Sequence, residues 1–93
     1  MAAESKLELE CRKFAEHQGY RLMKWISPGV RGVPDRILLG PKRFIVFIEF
    51  KAPGEKPSLL QILWLSLLTE FGFKAEVVWT FEQFLLLIPA RSK

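Results

Sequence analysis

Glu49 and Lys51 stand two residues apart at the end of the segment Phe44–Lys51, which is almost continuously aromatic and β-branched. Side chains on a strand alternate between faces, so these two share one, about 6.5–7 Å apart, and Ile45 and Phe47 precede them on it. An acid or a base is costly to bury without a partner; taken alone, the pair reads as a salt bridge at a strand end. Pro34-Asp35 opens the preceding strand, and taken alone Asp35 reads as a turn residue after proline. The connection between the two strands is short, which favours antiparallel pairing and brings Asp35 to the Glu49 end of its neighbour. Two carboxylates and an ammonium then converge. Neighbouring carboxylates repel unless a cation or proton lies between them, and magnesium, which takes one or two carboxylates together with phosphate oxygens and water, is a natural occupant. The chemistry such a group suits is phosphodiester hydrolysis. A metal ion can stabilise charge on the phosphate and make a nucleophile from water, and a lysine beside it adds electrostatic stabilisation.

The elements that must position these residues can be read from caps, breakers and periodicity. Ser5 to Gln18 reads as a helix, with Leu7, Cys11, Phe14 and Ala15 at helical spacing, a Ser5/Glu8 capping box and Gly19 as its stop. Tyr20–Ile26 reads as a strand, followed by a loop of breakers. Pro34–Leu39 and Phe44–Lys51 are strands about a turn at residues 40–43, and residues 52–57 form a loop. A helix over residues 58–71 ends at Gly72, Lys74–Trp79 is a fourth strand, and Thr80 with Gln83 starts a short last helix closed by Pro89. The order α-β-β-β-α-β-α implies an α/β fold with a mixed four-stranded sheet flanked by helices. The 93 residues form one domain, with a frayed tail over residues 88–93.

Composition narrows the function classes. With one cysteine, Cys11, and one histidine, His17, no intrachain disulfide and no soft-ligand zinc site can form. Cys11 is expected to be a buried packing residue and His17 has no assigned role. No Ser-His-Asp or Cys-His arrangement competes with the carboxylate site. The longest uncharged run, Pro57–Thr69, has 13 residues, against about 20 for a membrane span. The polar, acidic start does not resemble a signal peptide, and an intracellular, membrane-free protein is expected. Net charge is +4; without Glu8, Asp35 and Glu49, 14 cations face 7 anions. A basic surface around an acidic pocket suits a polyanion. Lys24, Arg31, Arg36, Lys42, Arg43 and Lys56 flank the centre as candidate DNA contacts, Arg31 and Lys56 foremost because both lie in loops beside the motif.

The run Arg31-Gly32-Val33-Pro34-Asp35, then Glu49-Phe50-Lys51-Ala52-Pro53-Gly54 and later Gln61, resembles the PD-(D/E)xK nuclease pattern, and specifically its VRR-NUC branch, over nearly the whole chain. The resemblance implies a restriction-endonuclease-like core and a magnesium- or manganese-dependent endonuclease. It makes Asp35, Glu49 and the Phe50 carbonyl metal ligands, with Lys51 activating or orienting the attacking water. It also calls for a first-helix glutamate, for which Glu8 fits best. Glu8 is equally suited to cap Ser5, and Glu4 and Glu10 are possible substitutes. Gln61 matches the family's glutamine and is equally suited to cap Ser58. Small members of the branch are stand-alone phage and bacterial proteins with junction-resolving activity, which would place a phage-encoded member in the cytoplasm of its bacterial host. Alternatives are a noncatalytic DNA-binding or assembly module with a nuclease fold, and a nuclease subunit that needs a targeting partner.

The helix over residues 58–71 is apolar on every side, with Leu59, Ile62, Leu63, Trp64, Leu67 and Phe71 distributed around it. A helix of this kind is buried all round, either beneath the sheet and last helix or against a second copy. The second option implies a two-fold homodimer suited to branched DNA such as a four-way junction, with Trp64 and Leu67 taken as exposed positions.

Overall fold

The computed structural model describes residues 4–89 of the chain. Its elements are α1 (Lys6–His17), β1 (Arg21–Lys24), β2 (Arg36–Gly40), β3 (Phe44–Phe50), α2 (Leu59–Glu70), β4 (Lys74–Val78) and α3 (Phe81–Leu85), in the expected order. Each helix starts on a complete capping box: Ser5 with Glu8, Ser58 with Gln61 and Thr80 with Gln83. Each box satisfies two backbone donors that a helix start would otherwise leave open.

The strands form one sheet in the order β1-β2-β3-β4. The first three are antiparallel and β4 runs parallel to β3, so the sheet is mixed. A parallel neighbour requires a crossover, and α2 is that crossover. Strand alternation then divides the structure into two layers. Val46, Ile48 and Phe50 of β3 join Cys11, Ala15 and Phe84 in the core under α1 and α3. Phe47 turns the other way, its ring 5.3 Å from both Trp25 and Phe73, and Trp64 of α2 packs on Trp25 at 6.5 Å. Cys11 is fully buried and burial pushes its thiol up to about 12, so it is a packing residue, as expected, and not a nucleophile.

Three expectations need adjustment. β1 stops at Lys24 rather than Ile26, which is exposed. Ile88, expected to begin the frayed tail, is buried in the core, and residues 90–93 lie outside the described residues. In α2, Leu68 faces inward, while Trp64 and Leu67 are half-buried and so are not the outward side. That side is Leu59, Ile62 and Leu63, continued by Phe71, all exposed. Among the described residues no helix is long and apolar enough to cross a membrane.

Candidate active site

The β2–β3 ladder runs from Gly40↔Phe44 to Arg36↔Ile48, and its next rung sets Asp35 opposite Glu49. Asp35 is fixed there from two sides. Its carbonyl accepts from the Trp25 N–H at 2.9 Å, and its Oδ1 accepts from the Phe50 N–H at 3.4 Å. The preceding loop reaches this position by passing close to the start of α2. Gly32 has φ +88°, and a Cβ on it would lie 2.7 Å from Leu60 Cγ and 3.0 Å from the Leu60 carbonyl. Only glycine accommodates both that conformation and that approach.

Glu49 is 5% exposed. Gln61 Nε2 donates to Glu49 Oε2 at 3.0 Å, while Gln61 Oε1 accepts from the Ser58 N–H at 2.8 Å. The capping and active-site roles of Gln61 therefore coexist, one for each end of its amide. Lys51 Nζ lies 3.8 Å from the same Glu49 oxygen. The other oxygen, Oε1, is buried and has no hydrogen-bond partner among the described residues. Burial pushes the Glu49 carboxyl up to about 7, Asp35 adding to the rise and Lys51 opposing it. Burial likewise pushes Asp35 up to about 6, against the stabilising Phe50 N–H. These are two carboxylates that resist ionising side by side, and one oxygen makes no hydrogen bond among the described residues, although the Asp35 backbone N–H also favours the charged form of Glu49. A hard divalent cation fits this donor set, since it would complete the coordination of Glu49 Oε1 and offset the shared charge.

Glu8 does not join the pair closely. Among the described residues no group of three or more His, Cys, Asp or Glu side chains is gathered to hold a metal ion. Its carboxylate accepts from the Ser5 N–H at 3.4 Å and from Arg36 Nε at 3.1 Å. Its charge nonetheless reaches both acids and raises them. Of the alternatives, Glu4 is engaged by Arg12 and Arg36, and Glu10 is exposed.

The basic residues divide into three groups. Arg31 and Lys56 are exposed in the loops that flank the carboxylates, and Lys24 is exposed at the end of β1 nearest Asp35. Arg36 is corrected. It is 2% exposed and binds Glu4 and Glu8 at 3.0 and 3.1 Å, so it secures α1 to β2 instead of facing DNA. Strand parity explains this: with Asp35 on the α2 side, Arg36 must face α1. Lys42 and Arg43 sit in the β2–β3 turn, at the opposite end of the hairpin from Asp35 and Glu49, about 17 Å along the strand. Their placement removes them from the immediate surroundings of the site.

Trp79 was not indicated by the motif. The parallel ladder ends at Phe50↔Val78 and the Lys51 N–H donates to the Val78 carbonyl at 3.1 Å, which places Trp79 on the rung of Lys51. The β3–β4 register depends on the crossover and no local pattern carries it.

A family model described as the VRR-NUC domain matches residues 3–80. A solved structure titled "VRR_NUC domain" superposes with a TM-score of 0.82 at 26% identity, covering 90% of this chain and 91% of that one. Two relatives match over shorter stretches. "Putative nuclease p44" of Acyrthosiphon pisum secondary endosymbiont phage 1 is 56% identical over 39 residues, 42% of either protein. "Fanconi-associated nuclease 1 homolog" of Caenorhabditis briggsae is 47% identical over 47 residues, which is 50% of this chain and 5% of that protein. The matched stretches thus span less than half the length of these relatives.

Proposed function

The chain belongs to the VRR-NUC domain family, and from the Asp35–Glu49–Lys51 centre we propose that it is a nuclease that hydrolyses phosphodiester bonds in DNA with a divalent metal ion, magnesium or manganese. The observation that carries this reading is the unsatisfied Oε1 of Glu49, buried beside a second carboxylate and within reach of a lysine. A domain that only bound DNA would gain nothing from such a costly pair.

Asp35 and Glu49, with the Phe50 carbonyl, would hold the ion, which when bound supplies Lewis-acid stabilisation of the phosphate and acidifies a water. Asp35 is held by the Phe50 N–H, and Gln61 holds Glu49 Oε2, so that Oε1 is left for the ion. Lys51 extends along the same face as Glu49 with its side chain 19% exposed. From there its ammonium can bind the scissile phosphate or orient the attacking water, adding positive charge where the phosphate becomes more negative. Glu8 would approach only by exchanging its bond to Arg36.

The surroundings extend the reading to substrate and assembly. Arg31, Lys56 and Lys24, exposed near the carboxylates, would hold phosphates of the bound strand, fixing position without reading sequence. The outward side of α2 exposes Leu59, Ile62, Leu63 and Phe71, and exposed apolar side chains grouped on one element mark association. A two-fold dimer formed through it presents two sites to a substrate with its own two-fold axis, and a four-way junction is such a substrate. The test is purified protein with end-labelled linear, flapped, splayed and four-way-junction DNA, in magnesium, manganese or chelator. Metal-dependent paired incisions in the junction, with linear duplex cut poorly, are expected. Cutting that survives the chelator contradicts the metal mechanism, and equal cutting of linear duplex contradicts the preference for branches.

A further inference from the structure

A cleft of about 450 Å³ opens next to the catalytic lysine, on the side away from α2. It lies where the carboxyl ends of the parallel strands β3 and β4 meet the start of α1, and Leu7, Pro53 and Trp79 give it apolar walls, with Lys51 at one end and Lys6 on the rim. Ligands of α/β sheets bind outside the carboxyl ends of parallel strands.

Trp79 is held in place. Its ring Nε1–H donates to the Glu55 carbonyl at 2.7 Å and its backbone N–H to Gln83 Oε1 at 2.7 Å. Trp25 and Trp64 pack on each other, whereas Trp79 has no ring contact among the described residues. The indole therefore lines the cleft with its ring nitrogen fixed and without an aromatic partner. One rung, about 4.8 Å, separates Trp79 from Lys51 in the sheet, comparable with the ~3.4 Å rise of one nucleotide along a duplex strand. Lys51 belongs to both places, its ammonium 3.8 Å from Glu49 Oε2 and the residue itself in the lining of the cleft, so a nucleotide next to a phosphate held there has the cleft beside it. A base can leave the stack for such a cleft only when its pair is open.

We propose that this cleft is a subsite for a single unpaired DNA base adjoining the scissile phosphate, stacked on Trp79, with Lys6 beside the next phosphate. The proposal rests on the nuclease reading and deepens it: the nucleotide at the cut is unpaired when bound, whether opened from a pair at a junction centre or supplied by a flap. Stacking on an aromatic face tolerates any base, so the subsite selects unpaired structure and not sequence.

The experiment uses the full chain in calcium, with duplexes that carry a short single-stranded flap and 2-aminopurine at successive positions across the branch. Cut positions are mapped separately in magnesium. In the wild-type protein, emission should be quenched at the unpaired nucleotide next to the mapped cut and little affected elsewhere. Trp79→Ala should lose that quench and bind the flapped DNA roughly tenfold more weakly or worse, while Trp79→Phe, which keeps an aromatic face, should retain most of both. The positional scan in the wild-type protein needs no variant, so it decides the matter even if Trp79→Ala unfolds. Uniform quenching at all positions, or an unchanged quench in folded Trp79→Ala, overturns the subsite while leaving metal-dependent cleavage intact. A protein that cleaves none of these DNAs in magnesium or manganese overturns the nuclease reading; a localised, Trp79-dependent quench would then still support a base-binding cleft.

Discussion

Glu49→Gln should make the metal-free protein more stable, although it alters a buried, hydrogen-bonded residue. The folded structure raises the Glu49 carboxyl from 4.5 to about 7. A carboxyl raised on folding holds its proton more tightly in the native state. Its contribution to stability therefore falls as pH rises through the window between the two values, and the full cost is present above pH 7. A shift of this size corresponds to at most about 3 kcal/mol, shared with Asp35 because the two acids are coupled. Glutamine keeps the acceptor for Gln61 Nε2 and removes the charge that burial and Asp35 oppose. Recovering even about 1 kcal/mol raises the melting temperature by roughly 4–8 °C in a domain of this size. Thermal unfolding followed by circular dichroism in chelator should show the variant several degrees more stable at pH 8, with the difference shrinking towards zero near pH 4. Magnesium should then raise the melting temperature of the wild type and leave the variant almost unchanged. A variant less stable than wild type in chelator at pH 8, or a difference independent of pH, would refute the strained carboxylate pair.

Further outcomes follow from the same geometry. Arg36→Ala, which leaves Glu4 and Glu8 without their shared partner, should lose about 1–3 kcal/mol in urea unfolding, and should not reduce the salt dependence of DNA binding. Arg31→Ala and Lys56→Ala should each lower the slope of log affinity against log salt by about 1, measured in calcium on uncleaved DNA; unchanged slopes would remove both from the interface. Leu63→Glu, on the outward side of α2 and 55% exposed, should convert a sedimenting dimer to a 10.8 kDa monomer and abolish paired incision without loss of fold, whereas a wild-type monomer on junction DNA would remove the dimer from the account.

The parts of the molecule that sequence made legible are those governed by local rules. The three helix starts follow from side chains that cap their own helix, and the Asp35–Glu49 meeting follows from a short hairpin whose pairing carries little ambiguity. The same two rules, applied further, would have excluded one of the DNA contacts and set two others away from the centre. Strand parity turns Arg36 away from the Asp35 face, and a hairpin that brings Asp35 to Glu49 must carry Lys42 and Arg43 to its other end. The outward side of α2 was not legible. A helix apolar at nearly every position has no phase to read, so Trp64 and Leu67 could not be told from Leu59 and Leu63 until Trp25 was seen against Trp64. Trp79 beside Lys51 depends on the register of a parallel pair joined through α2, a long-range relation that no motif in either strand encodes. The sequence offers Gln61 and Glu8 two roles each. Gln61 divides its two amide ends between cap and site, and Glu8 caps its helix while binding Arg36.

The central claim is that Asp35 and Glu49 act together on a divalent ion to cut DNA, and single-turnover cleavage of labelled junction DNA tests it most directly. Wild type, Asp35→Asn, Glu49→Gln and Lys51→Ala would be compared in magnesium, in manganese and in chelator, with folding checked by circular dichroism and DNA binding measured in calcium. The account predicts cleavage by the wild type only with metal, and loss of cleavage in all three variants while each stays folded and binds DNA. Cleavage by folded Asp35→Asn at the wild-type rate, or wild-type cleavage undiminished in chelator, would contradict it.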